Sequence, residues 1–178
     1  DDMKSLKECL QTLVLCAGGD GNLLFNVGPM PGGRIEPRQV DRLKEMGAWL
    51  GRNGESIYRT RGGPWKPTLA LASTRKGSTI YLHLLNVAKS SLTLPPLPRK
   101  IKAASVLAGG KVAFNQTDQA VEITLLAQRL DPIDTIIKLD LNGSAMDIPA
   151  VSLTPEVKAS ASSVYQKQDA EYGPQAVF

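Results

Sequence analysis

Gly18-Gly19-Asp20-Gly21-Asn22-Leu23-Leu24-Phe25-Asn26-Val27-Gly28-Pro29 is the stretch on which the reading of this chain turns. Asn22 to Val27 is mostly apolar and bounded by turn residues, the pattern of a buried strand. Such a strand needs neighbours on both sides. The residues before it supply one helix and nothing more, so the pattern predicts that the sequence starts inside a domain whose remaining strands lie upstream of Asp1.

Helical patterns flank this strand. From Lys4 to Ala17 the residues Met3, Leu6, Leu10, Leu13 and Ala17 recur at spacings of three and four, which predicts one apolar face, and Gly18-Gly19 is expected to stop the helix. Gly28-Pro29-Met30-Pro31-Gly32-Gly33 reads as a rigid loop. A second helix is expected from Glu36 to Arg52, with Pro37 at its first position and Val40, Leu43, Met46, Gly47 and Leu50 as its stripe. Asn53-Gly54 is expected to end it in the left-handed conformation. Helix, strand, helix is the alternation of an α/β unit with parallel strands.

Glu55 to Trp65 reads as a connector, and the grammar then changes. Leu69 to Ser73, Thr79 to Leu85, Ser91 to Leu94, Ala103 to Leu107, Val112 to Asn115, Ala120 to Leu126 and Ile133 to Leu141 are short strand candidates separated by turns and prolines. Strands at this density without helices between them predict an antiparallel sandwich. The expected organisation is an α/β part over residues 1–65, an all-β part over 66–150, and a poorly ordered polar tail over 151–178.

Composition narrows the function classes. The net charge of +4 is mild, the basic residues form no run, and aromatic residues make up only 5%, which together argue against a nucleic-acid surface. No segment approaches the ~20 apolar residues of a membrane-spanning helix. Cys9 and Cys16 lie two turns apart on one helix, too far for a disulfide, and read as packing residues. His83, the only histidine, has no metal-ligand cluster around it, and no Ser-His-Asp spacing or nucleophile elbow is present. Its alternation with Ile80, Leu82 and Leu84 places it with Tyr81 and Leu85 on the opposite strand face. No metal site and no cofactor are expected. Asp20 reads as a turn residue, Glu36 as a helix-start carboxylate, and Glu45 and Glu55 as structural or solvated groups.

The run Gly21-Asn22-Leu23-Leu24-Phe25-Asn26-Val27-Gly28-Pro29, followed by Gly33-Arg34-Ile35-Glu36-Pro37, Gly47-Ala48-Trp49-Leu50 and Asn53-Gly54-Glu55-Ser56-Ile57-Tyr58, resembles the end of the catalytic domain of α-L-fucosidases of glycoside hydrolase family 29. The motif elements match in order and spacing over roughly 40 residues. The resemblance implies an N-terminal (β/α)8-like barrel followed by a C-terminal β-sandwich, with Asn22 to Val27 as the last barrel strand. It implies a retaining hydrolase that releases terminal α-L-fucose from glycans with two carboxylates about 5 Å apart. Neither carboxylate matches a position in this chain, so no catalytic residue is assigned here. Export or a degradative compartment follows from family analogy alone.

Two substrate-binding candidates remain. Leu23 occupies a position that is often aromatic in the family and touches the methyl side of fucose. Asn26 lies toward the C-terminal end of the strand, where barrel sites are built. Arg59 departs from the family, which frequently has Gly there. A carbohydrate-binding or packing role for the β part, and an inactive relative of the enzymes, stand as alternatives to the fucosidase reading.

Overall fold

The computed structural model describes residues 3–87, 90–126 and 130–153. The expected tail from Thr154 to Phe178 lies outside them. Helix α1 spans Leu6–Gly18 and α2 spans Pro37–Asn53, continued by a 3₁₀ turn at Gly54–Ser56. Eight strands follow: β1 Arg61–Gly62, β2 Leu71–Lys76, β3 Thr79–Leu84, β4 Ser91–Leu94, β5 Ile101–Val106, β6 Lys111–Gln116, β7 Val121–Leu126 and β8 Thr135–Leu141. All seven strand candidates of the β part appear, Ser91–Leu94 with its expected ends and the others with ends moved by up to three residues. The two-residue β1 lies in the stretch read as a connector.

The strands form one antiparallel sheet in the order β1-β2-β3-β8-β5-β6-β7-β4. The expected two-sheet sandwich is therefore a single sheet that curls into a half-barrel. The ladder between β5 and β6 is reduced to the single pair Ser105 with Lys111. A shift in register between Ile101 and Ala103 loosens β5 on its other edge. Curling brings the two halves over a common core: Ile80, Leu82, Ile137 and Leu139 from β3 and β8, with Val121, Ile123 and Leu125 from β7. Trp65 lies fully buried in this core, with its indole N–H donated to the Pro95 carbonyl at 3.1 Å.

The helices cover the other face of β2, β3 and β8. There Cys9, Leu10 and Val14 of α1 and Met46 and Trp49 of α2 pack on Ala72, Tyr81, Leu85 and Ile136. β3 is consequently buried on both faces. The buried side of α1 is Cys9, Leu10, Val14 and Gly18, turned from the stripe that periodicity predicts. Close packing of the helix end decides this, because a Cβ on Gly18 would stand 2.9 Å from that of Ala72. Of the expected α2 stripe, Met46 is buried, whereas Leu43 is 38% exposed.

One turn reading changes, that of Gly54, and two left-handed residues are added. The residue with positive φ after α1 is Asp20 (61°), not a glycine, and Gly21 N–H closes the cap on the Cys16 carbonyl at 2.9 Å. Gly54 is right-handed, and its lack of a side chain serves Tyr58 instead: a Cβ there would meet the Tyr58 ring at 2.7 Å. The left-handed residue of this connector is Arg59, with φ of 60°.

Candidate functional site

The buried strand expected from Asn22 to Val27 does not form: the segment 22–27, which carries the motif, has no regular secondary structure and pairs with no strand among the described residues. Its burial nevertheless alternates. Leu23, Phe25 and Val27 are half-buried, whereas Asn22, Leu24 and Asn26 are exposed, Leu24 to 84%. Phe25 packs into the helix-facing core. The segment thus has a strand's two faces, one seated on the helices and one open.

Both ends of the segment are fixed. At its start Asp20 accepts from Arg61 through two hydrogen bonds, of 2.8 and 2.6 Å, and from the Gly62 amide at 2.9 Å. These bonds, led by the one from Arg61, lower the Asp20 carboxyl to about 2. At its end the Gly28 amide donates to Gln39 Oε1 at 2.9 Å, and an antiparallel bridge between Pro29 and Ile35 closes the glycine- and proline-rich loop. This loop delivers the chain into α2.

Two clefts adjoin the segment. One, of about 350 Å³, is lined by Met3, Phe25, Asn26, Glu36, Arg38 and Arg42, among others. The other, of about 470 Å³, includes Leu13, Cys16, Asp20, Leu23, Ile57 and Arg61. The two sequence candidates therefore lie in different clefts and on opposite faces: Leu23 toward α1, Asn26 on the open side. The structure does not bring them together.

Each cleft is lined by one carboxylate, and each of these is engaged. Glu36 accepts from Arg38 Nε at 2.6 Å, which lowers its pKa, and Asp20 is bound as above. A carboxylate held ionised by a guanidinium does not serve as a general acid, and the two stand in separate clefts. Among the described residues no group of three or more His, Cys, Asp or Glu side chains gathers to hold a metal ion. Among the described residues no helix is long and apolar enough to cross a membrane.

One grouping escaped the sequence reading. His83, on the face with Tyr81 as its alternation predicts, is fully buried and meets Asp134, with Nδ1 2.6 Å from Oδ2. Thr74 lies on its other side, with Oγ1 3.4 Å from Nε2. Hydroxyl, imidazole and carboxyl stand in the order of a hydrolytic triad, but none is open to solvent, so no substrate reaches them. Asp134 lies 51 residues from His83, and no local motif announces the pairing.

The fold and the segment together define a class: an antiparallel curled sheet, backed by two helices, that holds one strand-like segment with an open face. The α-L-fucosidase family model matches residues 1–55, the part that contains both helices and the segment. An α-L-fucosidase of Branchiostoma floridae is 34% identical over 110 residues, which is 59% of this chain and 23% of the relative. Human plasma α-L-fucosidase is 28% identical over 159 residues, covering 85% of this chain and 30% of that protein. Among solved structures, α-L-fucosidase isoenzyme 1 from Paenibacillus thiaminolyticus superposes with a TM-score of 0.69 at 32% identity, over 79% of this chain and 35% of the other. The Thermotoga maritima α-fucosidase in complex with fucose gives 0.63 at 27% identity, over 77% and 35%. Over the matched parts the chain is similar to the C-terminal part of α-L-fucosidases. It spans about a quarter to a third of the length of the relatives it matches.

Proposed function

We propose that this chain is the C-terminal portion of an exo-acting, retaining α-L-fucosidase that removes terminal α-L-fucose from glycans. The observation that carries the reading is the open-faced segment 22–27. It has the burial pattern of a strand, it holds the family motif, and its ladder partners are missing among the described residues. In this reading it is the last strand of a (β/α)8-like barrel, α2 is the helix that follows, and residues 1–65 and 66–150 belong to separate domains. Leu24 and Asn26 then face the barrel interior and Leu23 the helix layer. Asn26, at the strand's C-terminal end, is the residue of this chain proposed to reach the sugar; Leu23 supports the strand from behind.

The catalytic carboxylates of this enzyme lie upstream of the chain. An Asp attacks the anomeric carbon and a second carboxylate first protonates the leaving oxygen, then activates water. The 178 residues alone are expected to be inactive. The experiment is an aryl α-L-fucoside assay on the protein encoded by the complete reading frame, beside its Asn26→Ala variant. A fall in kcat/KM of about 100-fold, the size expected when a positioned polar contact is lost, supports the role of Asn26. Unchanged kinetics remove Asn26 from the site while leaving the activity in place.

The alternative of a carbohydrate-binding sheet finds less support. Of the two sheet aromatics weighed for it, Tyr81 is buried and Phe114 is 37% exposed. Stacking on sugars calls for open aromatic faces, and a single half-covered ring makes a poor platform.

A further inference from the structure

We infer that His83 and Asp134 form a sealed pair that holds two protons and no net charge, and that this pair, acting through Thr74, seats the turn after α2 on the sheet. The protons of this pair can be counted whether or not the chain belongs to a fucosidase. Thr74 has one hydroxyl proton, and its Oγ1 stands 2.6 Å from the Ser56 carbonyl oxygen, which can only accept. That proton is therefore committed to Ser56. Thr74 turns lone pairs toward His83, so the 3.4 Å approach of Nε2 is favourable only when Nε2 carries hydrogen. On the other side of the ring, the 2.6 Å separation of Nδ1 and Oδ2 requires one shared proton.

Two protons follow, whichever partner holds the shared one. The pair is then imidazole with carboxylic acid, or imidazolium with carboxylate, and both sum to zero. The one-proton alternative would seal a net negative charge away from water and oppose two lone pairs across Nε2 and Oγ1, an arrangement of high cost. Asp134 Oδ1 agrees with the count, since it is buried and accepts no hydrogen bond of normal geometry. Burial raises the Asp134 carboxyl above the usual range; His83 and the Leu84 amide pull it down, and Asp131 adds to the rise. Asp131 also aims the group, because its Oδ1 accepts from the Asp134 amide at 3.1 Å.

The consequence is mechanical. Ser56 O, Thr74, His83 and Asp134 link the Gly54–Ser56 turn to β2, β3 and the entry to β8 in one polar chain. Because Ser56 closes the 3₁₀ turn that continues α2, the chain sets where that helical segment ends. The link makes His83 a positioning residue.

The chain has one histidine, so its ring nitrogens give unambiguous ¹⁵N resonances in the 178-residue protein. At pH 7 the expected result is a protonated Nε2; a bare Nε2 overturns the proton count. Hydrogen exchange, read by mass spectrometry, tests the mechanical half. Thr74→Val is expected to speed exchange of the Ile57 and Tyr58 amides by about tenfold, and Thr74→Ser, which keeps the hydroxyl, by less than about twofold. Equal exchange in the two variants overturns the seating role, and the wild-type resonance remains decisive if Thr74→Val fails to fold.

Discussion

At the scale of single residues, the two positions among the described residues with positive φ outside glycine carry opposite consequences. Asp20 combines the left-handed cap of α1 with three hydrogen bonds from Arg61 and Gly62. Asp20→Asn keeps the backbone preference and removes the charge; it is expected to cost ~1 kcal/mol in urea unfolding, the ion pair being half open to solvent and screened. The folded pKa of about 2 lies below the unfolded value of 3.8. The stabilisation is therefore complete above the unfolded value and is lost as pH falls through it toward 2. Between pH 5 and pH 2 the wild type should lose its advantage over Asp20→Asn, and a gap independent of pH would contradict the ion-pair account. Arg59 adopts φ of 60° with an exposed side chain and no comparable bonds. Relief of left-handed strain at Arg59→Gly should outweigh the added freedom of the unfolded chain and raise stability by ~0.5 kcal/mol, measurable as a shift in urea midpoint at constant slope.

At the scale of elements, α1 owes its start to a reciprocal cap: the Glu8 amide donates to Ser5 Oγ at 3.2 Å and the Ser5 amide to Glu8 Oε2 at 2.7 Å. Ser5→Ala is expected to destabilise by ~1 kcal/mol, checked by urea unfolding; no change would mean that packing alone fixes the helix start. The Ser5-Leu6-Lys7-Glu8 signature was there to read, and would have placed the helix start more closely than apolar periodicity did. Periodicity found both helices and all seven longer strands because burial on one face writes itself into spacing. It did not find which side of α1 is buried, since Gly18 is selected by its contact with Ala72, a partner 54 positions away. It also missed β1 and the place of Trp65, because a two-residue strand has no period and a buried Trp among glycines and prolines reads as a linker. The single half-barrel sheet in place of a sandwich follows from the strand order β1-β2-β3-β8-β5-β6-β7-β4, which composition does not reveal. For the candidate site, the bounded apolar run of segment 22–27 was legible, but its open face was not, because the run is apolar on both sides. Its division of Leu23 and Asn26 between two clefts follows from where α1 packs.

At the scale of the whole molecule, the open face of segment 22–27 and the exposed Leu24 and Leu43 set an expectation for the isolated 178 residues. Uncovered apolar surface of this kind promotes association. The isolated chain should bind a hydrophobic dye and run above its monomer mass in light scattering, and a dye-silent, monodisperse monomer would argue that these faces need no cover. The central claim is tested most directly by ¹H NMR of an aryl α-L-fucoside incubated with the protein from the complete reading frame. A retaining fucosidase releases the α-anomer of fucose first, with the β-anomer arising later by mutarotation, while residues 1–178 alone release none. Initial release of the β-anomer, no turnover by the complete protein, or turnover by the 178 residues alone would contradict it.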